Sequence, residues 1–219
     1  MAADAKLTER QIKQRKRKDI SGKLLDAAEA LILEEGYAVA TARHIARKIG
    51  LKHQAVFYYF GTQDELLLAV VRRVAKRRRE AIEKAFQEQH PLSALWKAIS
   101  DPESTRLAAE FMALANHNEV VRAELAKDAH EIRLFEAAAI EEYLARIGVE
   151  PRIPPIVVTI LTHSVAMYLR QEKNLGITLG HDLAKMMTDA SFSAFEEGAF
   201  ASADVEPIVE GLTSPASDS

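Results

Sequence analysis

At 219 residues and 48% hydrophobic composition, the chain is long enough to bury one large core or two modest ones. It has no cysteine, which excludes disulfides, thiolate metal sites and thiol nucleophiles and fits a reducing cytosol. The net charge of −3 conceals an asymmetry: residues 1–80 hold 18 Lys/Arg against 10 Asp/Glu, a balance of +8, and residues 81–219 hold 11 against 22, a balance of −11. A basic N-terminal third on an acidic remainder is the pattern expected if only that third meets a polyanion. The first residues are charged and contain no apolar run of signal-peptide length, and no stretch nears a membrane span, so a cytoplasmic location is expected.

Residues 1–18 form a basic arm, with Lys6, Arg10, Lys13, Arg15, Lys16, Arg17 and Lys18 against Asp4 and Glu9. Two readings stand for it: a disordered, solvated tail, or an arm adding phosphate or minor-groove contacts to DNA. Ile20, Leu24, Ala27, Ala28, Leu31 and Ile32 then recur at helical spacing, so residues 19–35 read as the first full helix, ended by Gly36. Tyr37 and Val39 read as core residues plugging the hinge.

Residues 41–66, TARHIARKIGLKHQAVFYYFGTQDEL, organise the rest. Thr41 can cap a short helix, since its hydroxyl accepts an orphan N–H of the first turn, and Ile45, Ala46 and Ile49 recur at helical spacing. Gly50 stops that helix, with Leu51 expected to plug the turn. A second short helix places Val56 and Phe60 on one face and Gln54 and Tyr58 on the other. Thr62 and Glu65 form a capping box that opens a third helix. Two short helices across a glycine turn describe a helix-turn-helix. Its outward set, Arg43, His53, Gln54, Phe57 and Tyr58, suits phosphates and base edges.

This stretch resembles the DNA-binding signature of TetR/AcrR-type transcriptional repressors: T-x-x-x-I-A, a G-[VL] turn, a Tyr-rich segment ending in Phe, and a capped fourth helix. The resemblance covers about residues 20–70 and fixes spacing across three helices. It implies DNA contacts from Thr41, Arg43, Lys52, His53, Gln54, Ala55, Phe57, Tyr58, Tyr59 and Gln63. Lys52 stands where the family often has a capping Ser or Thr, and Gly61 where a phosphate-contacting Lys is common.

The fourth helix meets no breaker until His90-Pro91, about 27 residues and some 40 Å, and links head to body. Its cations Arg72, Arg73 and Lys76 to Arg79 read as a solvated face rather than a second DNA site. Further helices are expected over 92–100, from Asp101-Pro102 through 107–115, over about 119–146, over 156–175 and over about 181–200. The loop at 148–155, GVEPRIPP, cannot be helix interior, and the tail from Ala201 reads as disordered. The expected fold is all-α, with about nine helices. The expected division is an arm (1–18), a helix-turn-helix domain (19–66), a helical effector-binding and dimerisation domain (67–200) and a tail (201–219).

The last two helices are more apolar than one buried face requires, so Val158, Val165, Leu169, Leu183, Met186, Met187, Ala190 and Phe195 are read as a two-fold, four-helix dimer interface. The resemblance also implies an effector pocket in the body. Trp96, Phe111, Met112, Phe135, Met167 and Tyr168 are its candidate lining, with His163 among the polar handles, although each is as readily read as core or surface. No phosphate loop, nucleophile elbow or H-E-x-x-H motif occurs, and seven scattered His make a poor metal site, so neither catalytic residue nor metal nor cofactor is expected. The expected function, which the resemblance implies, is that of a homodimeric, ligand-responsive repressor binding double-stranded DNA at a palindromic operator. The alternatives are a constitutive DNA-binding protein and an activator, without an effector.

Overall fold

A computed structural model describes residues 8–151 and 153–196. Among the described residues the chain is all-α, with nine α-helices and one 3-10 turn: α1 (Glu9–Glu35), the turn (Tyr37–Val39), α2 (Ala42–Lys48), α3 (Gln54–Phe60), α4 (Gln63–Ala85), α5 (Pro91–Ile99), α6 (Pro102–Ala115), α7 (Glu119–Arg146), α8 (Pro155–Asn174) and α9 (His181–Glu196). No described helix is long and apolar enough to cross a membrane. The tail from residue 201 lies outside the described residues.

Helix starts follow local chemistry. Thr62 and Glu65 close the expected capping box on α4: Glu65 N–H donates to Thr62 Oγ1 at 3.1 Å and Thr62 N–H to Glu65 Oε2 at 3.0 Å. Asp101 caps α6 through Ser104 N–H at 2.8 Å, and Asn118 caps α7 through Val121 N–H at 3.0 Å. Two boundaries differ from expectation. First, α1 begins at Glu9, inside the basic arm, because Thr8 and Gln11 form a capping box and the intervening Lys, Arg and Gln are good helix formers. Second, α4 ends at Ala85 instead of continuing to residue 89. Pro91 forces His90 out of the helical region (φ −118°, ψ 77°), so the chain must leave α4 early for α5 to fold back along it.

Two apolar clusters result. The first joins Leu24, Ala28 and Ile32 of α1, Ile45 and Ala46 of α2, Val56 of α3 and Leu66, Val70 and Val71 of α4 to Leu107, Phe111 and Leu114 of α6. The head is therefore packed directly onto α6. The second lies between α4, α5, α7 and α8: Ile82, Leu95, Trp96, Ile99, Ile132, Ile140, Tyr143, Leu144 and Ala166. Two helices enter both clusters: α4, through Leu66, Val70 and Val71 and then Ile82 and Ala85, and α7, through Val121 and then Ile132, Ile140, Tyr143 and Leu144.

The other side of α4 was expected to be solvated. It is instead an ion-pair seam, and this corrects the reading of its cations. Glu29, 6% exposed, accepts Arg73 Nη2 at 2.5 Å and both terminal nitrogens of Arg77, while Asp26 accepts Arg73 Nη1 at 2.6 Å. Toward α7, Arg72 grips Glu124 through two nitrogens at 2.9 and 2.8 Å, Arg78 lies 3.7 Å from Asp128, and Arg79 3.4 Å from Glu131. The physical reason is partner supply: helices distant in sequence place carboxylates opposite the arginines.

Glu29→Gln preserves shape but leaves two guanidiniums facing a neutral amide in a largely buried site. We expect a loss of about 2–4 kcal/mol, at the level of a broken buried pair discounted for partial exposure, read as a falling midpoint in urea. Glu124→Gln, at the exposed seam, should cost about 1 kcal/mol or less. Hydrogen bonding to Arg72 holds the Glu124 carboxyl below the usual carboxylate range. That stabilisation is present at neutral pH and lost as pH falls through the depressed folded-state value, so the variant should lose stability less steeply on acidification.

Candidate nucleic-acid interface

The head is assembled by short hydrogen-bonded turns. Thr41, extended at φ −79° and ψ 154°, accepts His44 N–H at 3.4 Å and starts α2. Gln63, the first residue of α4, reaches back so that its Oε1 accepts Ala42 N–H at 3.0 Å. The α2 C-terminus closes as Gly50 turns to φ +70° and Leu51 N–H donates to Ala46 O at 2.8 Å. This backbone bond, not a side-chain plug, secures the turn: Leu51 is 37% exposed. Val56 is fully buried and pins α3 to the head, with Phe60 partly buried beside it.

With Val56 inward, the opposite face of α3 looks out. His53, Gln54, Phe57 and Tyr58 are exposed, Phe57 at 45% and Tyr58 at 67%. His53 meets Phe57 edge-to-face at 6.1 Å, and Tyr58 meets Tyr59 at 5.0 Å, so these rings stiffen one another. Arg43 and Lys52 are exposed on α2 and on the turn. Thr41, Ala55 and Tyr59 are half-buried at the edge of this surface, and Tyr59 packs on the head core. Gln63 is half-buried, and its carboxamide oxygen is committed to capping α2. Arg47, one turn beyond Arg43 on the exposed side of α2, escaped the sequence reading. Its spacing of four from Arg43 was the available signal. A seven-residue helix carrying exposed cations, an amide and aromatics beside a second short helix is dimensioned for the major groove of duplex DNA.

The body departs further from expectation. The residues read as an effector pocket do not line one space. Phe111 belongs to the first core and Trp96 to the second, while Met112 is 62% and Tyr168 60% exposed. Phe135 stacks edge-to-face on Phe86 at 6.3 Å, beneath Arg79. His163 Nε2 lies 2.9 Å from both oxygens of the buried Glu136, and Met167 is half-buried. Helical spacing put these residues on apolar or mixed faces; which neighbour each face meets was decided by the packing of α4, α6 and α7. A groove of about 510 Å3 runs between α4 and α5, lined by Lys84, Glu88, His90, Ser93 and Lys97 among others, and by none of the expected set.

On α8 and α9 the expected apolar surface is partly present. Val165, Leu183, Met186, Met187 and Ala190 are exposed, joined by Val157, Ile160 and Leu161. Val158 instead turns inward against the second core, and Leu169 is half-buried, because their side of α8 packs on the body. The side chain of Phe195 lies outside those described.

Comparison with known proteins fits this geometry. Residues 24–70 match the family described as bacterial regulatory proteins, tetR family. A comparison of the sequence with curated proteins finds no match. Among solved structures, a transcriptional regulator of the TetR/AcrR family from Thermobifida fusca shares 18% identity, with 80% of this chain and 96% of that one covered and a TM-score of 0.61. Salmonella enterica GusR shares 16% identity over 88% and 97%, with a TM-score of 0.62. A protein from Saccharomonospora viridis in complex with choline shares 16% identity over 82% and 96%, with a TM-score of 0.66. The whole described architecture thus has the fold of these structures, and its head, residues 24–70, is a DNA-binding domain of the tetR family of bacterial regulatory proteins.

Proposed function

We propose that the protein is a homodimeric transcriptional repressor that binds a palindromic operator and is released from it by a small organic molecule. The observation that carries the reading is the outward face of α3, where His53, Gln54, Phe57 and Tyr58 stand exposed on a helix pinned from behind by Val56. His53 and Gln54 open that helix, so they reach base edges, while Arg43, Lys52 and the half-buried Thr41 and Tyr59 face the flanking phosphates. Gln63 contributes by fixing α2 against α4.

A dimer is favoured by the exposed apolar stripes of α8 and α9, which a second copy would cover in a four-helix contact. Two heads held in one body read two half-sites about one DNA turn apart. The effector reading is supported by the buried indole of Trp96, 3% exposed, whose Nε1 lacks a hydrogen-bond partner among the described residues. A buried orphan donor is costly unless a ligand or water completes it. A choline-bound protein of the same fold gives a precedent for a small organic ligand. Release requires only that the ligand bind the DNA-incompetent arrangement more tightly than the competent one.

Selection from a randomised duplex pool should return a palindrome. Gln54→Ala should relax one position of each half-site, by about 1–3 kcal/mol of discrimination per lost bidentate contact. An unchanged consensus would remove Gln54 from base reading. Met187→Asp places a charge on the apolar stripe of α9. Sedimentation should show wild-type dimers and monomeric variant, with operator binding weakened at least tenfold as the avidity of paired heads is lost. A folded monomer binding the palindrome at full affinity would refute the dimer. Thermal melting across a panel of small organic molecules, choline included, should give a stabilising shift that Trp96→Phe diminishes; a Trp96→Phe protein with an undiminished shift would exclude the indole from the site.

A further inference from the structure

We propose that residues 9–18, the exposed first turns of α1, are a phosphate-binding rod that lies along duplex DNA beside the groove engaged by α3. The inference rests on the DNA-binding reading of the head.

The tract is helical, with its N-terminus closed by the Thr8–Gln11 capping box, and residues 8–19 are all exposed. No apolar packing holds it to the body, so its order derives from continuity with the buried half of α1. Within it Arg10, Lys13 and Arg17 follow at spacings of three and four and share one face, with Lys16 adjoining. Like charges at that spacing repel and weaken the helix that carries them. No ion pair engages Arg10, Lys13, Arg15, Lys16, Arg17 or Lys18 among the described residues.

The contrast with the other basic run of the chain is informative. On α4, Arg72, Arg73, Arg77, Arg78 and Arg79 each meet a carboxylate of α1 or α7. One polybasic run is neutralised from within and the other is left open. An open, self-repelling row of cations on a preformed helix gains most from a polyanion, and each neutralised phosphate adds counterion release.

Geometry selects duplex DNA as that polyanion. The pairs Asp26–Arg73 and Glu29–Arg77 show α1 and α4 running in the same direction. Arg73 lies about three turns past the start of α4, and Asp26 nearly five turns past the start of α1. At 1.5 Å per residue, α1 overhangs the N-terminus of α4 by about 10 Å. That is the end of α4 adjoining α3, so the overhang projects from the same end of the head as the recognition helix.

The test uses the full-length protein and the consensus duplex recovered by selection, with affinity followed by fluorescence anisotropy over a salt series. Arg10→Gln, Lys13→Gln, Lys16→Gln and Arg17→Gln combined should make the slope of log K against log salt shallower by about 2–4 per protomer, near 0.9 per phosphate lost. The consensus should be unaltered, because phosphate contacts carry no sequence information. Arg10→Lys with Arg17→Lys, which keeps charge, should retain the wild-type slope. Circular dichroism monitors the helix, and the charge-retaining variant separates loss of phosphates from loss of fold. A neutralised variant with the wild-type slope and affinity would overturn the proposal while leaving the head reading intact. Wild-type protein that bound no duplex would overturn both.

Discussion

The carboxylate of Glu29 is the constraint on which the rest of the molecule depends. It is 6% exposed and would be strongly destabilising there alone, since desolvating an ionised carboxylate costs several kcal/mol. Arg73 and Arg77 of α4 surround it with charge-assisted hydrogen bonds, and Asp26 takes the remaining reach of Arg73. The site is satisfied only when α1 and α4 hold one particular register. Because α3 packs on both helices through Val56, that register also sets how the recognition helix is presented.

A second tie joins the head to the body. Tyr37 N–H, in the 3-10 turn after α1, donates to Glu110 Oε2 of α6 at 2.8 Å. The turn is reached through Gly36 at φ +91°, a backbone conformation that residues with a side chain rarely adopt. With the apolar contacts of Leu107, Phe111 and Leu114, this makes α6 a wall of the head as much as of the body. On the other side Arg72, Arg78 and Arg79 tie α4 to α7. Any displacement of α4 by a bound molecule must therefore slide along these ion pairs or carry α1 and α6 with it. The bonding couples α1, α4 and α6, because packed interfaces switch between arrangements and do not deform continuously.

Most local features were legible in the sequence. The Thr62–Glu65 capping box, the Gly50 turn and the inward Val56 each depend on residues within five positions of one another, and each is found in the structure, the equally local Thr8–Gln11 box being the exception. The apolar stripe of α4 was equally plain. What escaped reading depended on partners far along the chain. Glu29 and Arg77 are 48 residues apart, and Arg72 and Glu124 are 52 apart, so the seam looked like a solvated face. The pocket candidates scatter for the same reason: Phe111 and Trp96 share helical apolar faces but sit in different cores. Val158 and Val165 were indistinguishable by composition, yet one packs on the body and the other is exposed.

The charge asymmetry can now be placed. A +8 head on a −11 remainder suggests basic charge spread evenly over the first 80 residues. The structure divides it. The arginines of α4 are matched by Asp26 and Glu29 in the head and by Glu124, Asp128 and Glu131 in the body, so that run presents little free charge despite its composition. Lys48 is likewise held by Glu34 at 2.6 Å. What stays open is Arg43, Arg47 and Lys52 about the helix-turn-helix and the row from Arg10 to Lys18 ahead of it. The acidic body thus pairs Arg72, Arg78 and Arg79 of α4, and the open cations of the first 80 residues cluster about the helix-turn-helix and the start of α1. Electrostatic attraction to such a cluster orients the approach of a polyanion as well as strengthening it.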